Sequence, residues 1–305
     1  MTMSAALLPG AALAKGASKA NTGRTRARPG TPAWPGAQAW QSLRTETGAR
    51  LLALSSPFAR GQSDAVRAEA LAGLKNPYYI GDNPALTQTS GWQDAWTSRA
   101  SAYAVAARDA LDVAAAVKFA NRHNLRLVVK GGGHSYFGAS NAPDSLLVWT
   151  RSMNKVAMVD AFVAQGCPQA SSQPAVHVGA GAMWADAYAE VTTRGGRYVQ
   201  GGGCTTVGVA GLVQGGGFGS FSKGFGTAAA NLIEAEVVTA DGAVRIANAC
   251  TNPDLFWALK GGGGGSFGVV TRLTLRTHAL PEFFGAVFGE ITAASNEAWR
   301  ALVAR

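Results

Sequence analysis

From residue 101 onward the apolar positions alternate between two periods, and the changes mark element boundaries. Ser101–Ala107 reads as a strand. Asp109 then stands where a side-chain oxygen can cap a helix, with Asp112 in the first turn beside the positive end of its dipole. Leu111, Val113, Ala114, Val117 and Ala120 recur at helical spacing to about Asn121. Leu125–Val129 is a short apolar run that enters Gly131-Gly132-Gly133-His134-Ser135 directly, completing a βαβ-like unit. Further strands are predicted at Ser145–Trp149, Ala175–Val178 and Arg197–Gln200, with a helix around Met183–Thr192. Asn231–Thr239 and Val244–Ala247, joined through Asp241-Gly242, carry the strongest short-range hairpin signal. Thr251-Asn252-Pro253-Asp254 opens a short helix over Leu255–Leu259, with Pro in its tolerated first-turn place. Val269, Thr271, Leu273 and Leu275 alternate with Arg272, Thr274 and Arg276 as a half-buried strand. The class this predicts is mixed α+β.

The ends read differently. Residues 15–40 are rich in Gly, Pro, Ser, Thr and Arg and are expected to be a flexible tail, with order beginning near Trp40, where Trp40, Leu43, Leu51 and Leu52 keep rough helical spacing. Residues 3–14 form a short apolar stretch ending Ala12-Leu13-Ala14, similar to a secretory signal but without the positive n-region, so secretion or periplasmic export is the expectation and a cytoplasmic chain the alternative. The net charge of +9 is concentrated: seven basic residues against Glu46 lie within residues 1–50, leaving the remainder near neutral. That excludes a nucleic-acid-binding body. No apolar run is long enough to span a membrane. Cys167, Cys204 and Cys250 have no zinc spacing; a Cys167–Cys250 disulfide is compatible with the sequence but not dictated by it.

The 39 glycines cluster rather than spread. The first cluster, Lys130-Gly131-Gly132-Gly133-His134-Ser135-Tyr136, ends a strand, so its backbone N–H groups can approach a diphosphate with no Cβ between. The other reading is a plain turn with a surface histidine. The second runs Gly201-Gly202-Gly203-Cys204-Thr205-Thr206-Val207-Gly208-Val209-Ala210-Gly211, then Gly215-Gly216-Gly217-Phe218-Gly219. Glycine this dense costs any regular element roughly 0.5–1 kcal/mol per residue, which a flat ligand against bare backbone would offset. Cys204 is its one reactive atom, or else a small buried hydrophobe. The third follows Asp254–Lys260 as Gly261–Gly265, Ser266-Phe267-Gly268-Val269-Val270. It contains G-x-G-x-x-G, but after a helix and before a strand, the reverse of a nicotinamide-dinucleotide turn, and no P-loop occurs.

Taken together, from about Asn76 to about Gly285, these strings resemble the vanillyl-alcohol-oxidase-like flavoproteins, and within them the berberine-bridge-enzyme-like branch of FAD-linked oxidases. The resemblance implies a two-subdomain PCMH-type FAD-binding domain over 99–280, a lead-in over 41–98, and only the start of a substrate-domain sheet over 281–305. It implies FAD bonded through His134 and, as in bicovalent members, through Cys204. Gly131, Gly132, Gly133, Ser135 and Ser140 then line the pyrophosphate. Val209, Gly211, Gly215 and Gly219 border the isoalloxazine and ribityl chain, and Val237, Gly268 and Val269 lie near the adenine. The implied activity is hydride transfer from a small sugar or secondary-metabolite alcohol to flavin N5, with O2 or another acceptor taking the electrons; the alternative is a catalytically incomplete FAD-binding fragment. Two departures stand out. Leu212 occupies a position that is His in plant members, so charge on reduced flavin would fall to groups such as the backbone N–H of Gly208–Gly211. The chain also stops at Arg305, after a strand over Phe283–Ile291 and part of a helix over Ser295–Ala304, so the general base lies outside this sequence. Tyr136, Tyr198, His123 and His278 are read as packing or surface groups, and His177 as a satisfied sheet residue.

Overall fold

The structure, a computed structural model, describes residues 25–88, 99–282, 285 and 289–304. The signal-like stretch over 3–14 and most of the strand expected over 283–291 lie outside the described residues. Two subdomains share one helix between them. The first is built on β1 (Leu51–Ala53), β2 (Tyr103–Ala106), β3 (Arg126–Lys130) and β4 (Ser145–Trp149), in the order β1-β2-β4-β3. β2, β4 and β3 are mutually parallel, and Leu146, Leu147 and Val148 at the centre are buried on both faces, as a parallel strand requires. Its helices are α1 (Ala37–Glu46), α2 (Asp64–Gly73), α3 (Tyr79–Asp82) and α4 (Ala110–Arg122).

α4 begins where expected, with the Asp109 carboxylate accepting from the N–H groups of Leu111 and Asp112. Four alanines (Ala114, Ala115, Ala116, Ala120) keep the helix thin enough to be covered on nearly every side. Val113, Val117 and Phe119 join a core that reaches Leu146 and Val148 in the first sheet and Val238 and Val269 in the second. Each such side chain contributes about 1.5–3 kcal/mol by leaving water. Asp112, buried at its base, takes a bidentate pair from Arg50 at 3.0 and 2.6 Å.

The second sheet is antiparallel. β5 (Val156–Phe162), β6 (Gln173–Gly179), β8 (Leu232–Val238), β9 (Val244–Asn248) and β10 (Val269–Ala279) run in the order β5-β6-β10-β8-β9, and β7 (Arg197–Val199) pairs with residues 277–279 of β10. Its helices include α5 (Trp184–Tyr188), continued by a wider π-type turn over Ala189–Arg194, then α6 (Val209–Gln214), α7 (Ser222–Phe225) and α8 (Pro253–Leu259). The predicted hairpin closes over residues 239–243, with the Thr239 N–H donating to the Ala243 carbonyl at 3.0 Å. α9 (Asn296–Val303) is capped by Ser295.

Over residues 25–40, the part of the expected tail that the structure describes, the chain is packed. From Thr25 the chain is docked: Asn124 Nδ2 donates to the Thr25 carbonyl, Arg26 Nη1 to the Leu125 carbonyl, and the Ala27 N–H to Asn124. Trp34 and Trp40 pack together beside Tyr103 and Phe119, which supplies the apolar area that a Gly/Pro/Arg-rich composition conceals. α1 accordingly starts at Ala37, and Leu51 and Leu52, read as continuing its face, belong to β1. Cys167 and Cys250 are joined as a disulfide.

Candidate functional site

The three glycine clusters converge. Gly131-Gly132-Gly133 leave β3, the second cluster follows β7, and the third links α8 to β10. A Cβ on Gly132 would stand 2.6 Å from the Gly208 nitrogen, and one on Gly208 would stand 2.8 Å from the Gly132 nitrogen. The first two loops therefore lie backbone on backbone. The third joins them through a Gly263 N–H bond to the Gln214 carbonyl at 2.9 Å and through Gly265, whose Cβ position is 3.8 Å from Val129. Some of these glycines thus serve contact between loops before they serve any ligand.

The two candidate tethers meet at that junction. His134 Nε2 lies 3.0 Å from Thr206 Oγ1, and Cys204 Sγ lies 3.6 Å from the same oxygen. Thr206 is 3% exposed, whereas Cys204 is open to solvent and is the chain's free thiol. Burial holds the His134 imidazole below its ordinary value, so it is neutral at pH 7. Sequence reasoning missed Thr206; its separation of 72 residues from His134 gives no local signal. It also missed Tyr188, whose hydroxyl donates to the Gly202 carbonyl at 2.5 Å while its ring stacks on Trp184 beneath Gly201. Burial pushes that phenol well up, so it remains a donor.

Lys130, just before the first cluster, is buried with its ammonium donating to the carbonyls of Ile80, Asn83 and Leu86 at 2.7, 2.6 and 2.5 Å. Burial pushes it down to about 7 while Asp82 opposes the shift; three acceptors for three N–H donors hold the charged form. The pin fixes the segment whose Gln88 N–H donates to the Gly133 carbonyl. Arg151 reinforces the same corner, reaching Asp82 at 2.7 Å and the Gly181 carbonyl at 3.2 Å.

The other predicted positions divide by what they touch. Gly211 lies exposed on α6 with no atom within 4 Å of its Cβ position, and Gly203 and Gly264 are equally open. Gly215 caps α6. Ser135 Oγ accepts from the Ala139 N–H within its own loop, and Ser140 is buried. Gly219 abuts the Gly201 carbonyl. Val209 and Val237 point into the core of the second subdomain, and Val269 into that shared with α4. Gly268, at φ +145°, packs against Val237 and Val238, so Val237, Gly268 and Val269 form one patch around the β8–β10 pairing. Of the N–H groups of Gly208–Gly211, that of Val209 is already given to the Ala182 carbonyl. Tyr198 is a packing group, bonded to Gln200 and set against Phe225. His278, expected at the surface, is part-exposed and bonds Asn231 at 2.7 Å beside the rings of Tyr198 and Phe225. His177 is satisfied by Thr274, as expected.

A flat cofactor fits this surface. Bare glycine backbone at Gly203, Gly211 and Gly264 is open to it, and the buried Thr87 Oγ1 and Gln214 Oε1 beside the loops have no hydrogen-bond partner among the described residues. His134 and Cys204 sit at its edge as the two nucleophilic atoms. No group of three or more His, Cys, Asp or Glu able to hold a metal occurs among the described residues. No helix among them is long and apolar enough to cross a membrane.

Residues 101–248 match the family model described as an FAD binding domain. The FAD-linked oxidoreductase easE of Arthroderma otae is 38% identical over 200 residues, covering 65% of this chain and 32% of that protein. Its counterpart in Arthroderma benhamiae is 41% identical, with 40% of its length covered, so the chain spans well under half of these curated relatives. Among solved structures, the VAO-type flavoprotein MtVAO615 from Myceliophthora thermophila C1 superposes with a TM-score of 0.74 at 32% identity, over 83% of this chain and 49% of that one. The glucooligosaccharide oxidase of Acremonium strictum, whose structure is described as revealing a novel flavinylation, aligns with a TM-score of 0.53 at 31% identity, over 64% of this chain and 40% of that one.

Proposed function

We propose, from the premise that this chain has the PCMH-type FAD-binding fold of the VAO-type flavoproteins, that it holds FAD across its three glycine clusters with covalent bonds to His134 and Cys204, as the flavin half of a berberine-bridge-enzyme-like oxidoreductase. The observation that carries this reading is the meeting of His134 and Cys204 on Thr206 at the open edge of the glycine surface. FAD, when bound, supplies a two-electron acceptor for hydride from a substrate C–H bond, with dioxygen or another acceptor taking the electrons onward. The chain's own groups do the rest. The Gly132–Gly208 contact fixes the two loops against each other, and Lys130 and Arg151 hold the corner from behind. Burial keeps the imidazole of His134 unprotonated and so nucleophilic at neutral pH. His134 and Cys204 would hold the flavin by bonds that each replace one hydrogen of the side chain and one of a flavin carbon, with dioxygen as the two-electron oxidant that would leave as hydrogen peroxide.

The substrate we propose is a small sugar or a secondary-metabolite alcohol, in keeping with the oligosaccharide oxidase and the FAD-linked oxidoreductases this chain is similar to. The Cys167–Cys250 disulfide supports maturation in an oxidising compartment, as the signal-like residues 3–14 suggest. Mass spectrometry tests the tethers. The full chain is expected to carry acid-stable flavin, His134→Ala and Cys204→Ala to lose one attachment each, and the double variant to lose all; flavin released by acid from the unaltered chain refutes them. Bleaching by candidate sugars under argon tests the activity, and attached flavin that no substrate reduces would favour the incomplete-fragment reading.

A further inference from the structure

We infer that Thr206 is a positioning residue that prepares both tethers at once, because its single hydroxyl lies within bonding distance of His134 Nε2 and of Cys204 Sγ. The inference rests on the proposed attachment at these two residues but makes claims about the chain alone. A hydroxyl has one proton to give and lone pairs to accept with. Toward His134 it can donate or accept. If it donates to Nε2, the imidazole proton sits on Nδ1 and neither nitrogen is ready to bond, while nothing remains to offer the sulfur. If it accepts from an Nε2–H, Nδ1 carries the lone pair, and the hydroxyl proton is left for Cys204. Either atom of the Thr206–Cys204 contact can donate, so both arrangements bond all three groups, but only the second leaves Nδ1 with its lone pair and offers a proton to the sulfur, relaying donation from imidazole to hydroxyl to sulfur.

The surroundings favour it. Thr206 is almost wholly buried, so no water competes for its hydroxyl, while Cys204 at the far end is exposed. The backbone that carries the hydroxyl is itself held: the Thr206 carbonyl would stand 3.0 Å from a Cβ on Gly132, so the residue is clamped where the two loops touch. Burial keeps the His134 imidazole neutral, which makes the choice between its two nitrogens meaningful. The nucleophile of a cysteine is its thiolate, so alkylation reports whether the hydroxyl proton is offered to the sulfur.

The test uses the full chain produced under riboflavin starvation, so that Cys204 is unoccupied. With Cys167 and Cys250 bridged, Cys204 is the single thiol that iodoacetamide can report. Thr206→Val keeps the shape and loses the hydroxyl; Thr206→Ser keeps the hydroxyl. Alkylation of Cys204 at pH 7.5 is expected to slow about tenfold in the Val variant and to return to within about twofold in the Ser variant. Nitrogen-15 spectra of the His134 ring should show the Nε2–H tautomer in the unaltered and Ser proteins and a mixture in the Val variant. Unchanged alkylation together with an unchanged tautomer in the Val variant overturns the inference, and so does loss of both in the Ser variant. Should Thr206→Val fail to fold, judged by its melting transition, Thr206→Ala is read in the same way. Absence of covalent flavin from the unaltered chain after incubation with FAD would defeat the tether reading alone, since the alkylation and tautomer comparisons need no flavin.

Discussion

Lys130 is buried against the preference of its type, and it stands one position before the first glycine cluster. Its ammonium has exchanged water for three backbone carbonyls at the end of α3, so the strand that delivers His134 is tied to a segment some fifty residues earlier. Lys130→Met keeps the aliphatic stem and strips the donors: the Asn83 and Leu86 carbonyls keep the Leu86 N–H and Asn141 Nδ2, while the Ile80 carbonyl loses its ammonium partner. We expect a loss of about 3 kcal/mol in urea unfolding, together with a lower yield of attached flavin. A variant as stable as the original would show that the pin does not matter. At this scale the sequence was unevenly legible. His134 and Cys204 stand out because a reactive side chain inside a run of glycines has few structural uses. Thr206 and Tyr188 do not, because a threonine among apolar residues and a tyrosine one helical turn after a tryptophan look like ordinary packing until the loops are brought together.

At the scale of elements, the strong periodic signals gave the right elements to within a few residues: the capped α4, the β8–β9 hairpin and the β3 strand running into its loop. What escaped was decided by tertiary contact. α6 forms in a glycine-rich stretch because Val209, Ala210 and Val213 are buried under the second sheet, which outweighs the propensity cost. β5 escaped because it is an edge strand, half-exposed along most of its length, and so lacks clean alternation. The loops make a sharper prediction. Gly132→Ala must push apart two backbones in contact and should cost about 2 kcal/mol of stability. Gly203→Ala meets no atom within 4 Å and should stay within about 0.5 kcal/mol of the original, yet lose attached flavin on the proposed placement of the cofactor, which the added methyl group would obstruct. Thermal melts with flavin quantification separate the two; equal stability losses would contradict the division of roles.

For the molecule as a whole, the placement of α4 between two sheets makes the subdomains one cooperative body, since Val238 and Val269 belong to the same core as Leu146 and Val148. Its acid response should be correspondingly global. All four histidines are held below their ordinary value, each first by burial, with neighbouring arginines adding at His123, His177 and His278. As pH falls toward the unfolded value of about 6.5 and below, the unfolded chain takes up protons that the folded chain resists. The histidines' contribution to stability is therefore fully present above that pH and is lost below it, so the flavin-free chain should melt at a lower temperature at pH 5.5 than at pH 7.5. A flat or rising melting temperature over that window would count against it.

The Cys167–Cys250 disulfide closes a loop of 83 residues around a third cysteine that remains unpaired and exposed. An oxidising folding environment thus faces a sorting problem, because three thiols can form three different bridges and only one is native. A bond from Cys204 to flavin takes it out of that competition and leaves a single possible pairing. The cofactor would then act as a chaperone for the covalent topology of the chain that holds it, and the order of events, flavin before or after oxidation, would govern how much of the protein matures correctly.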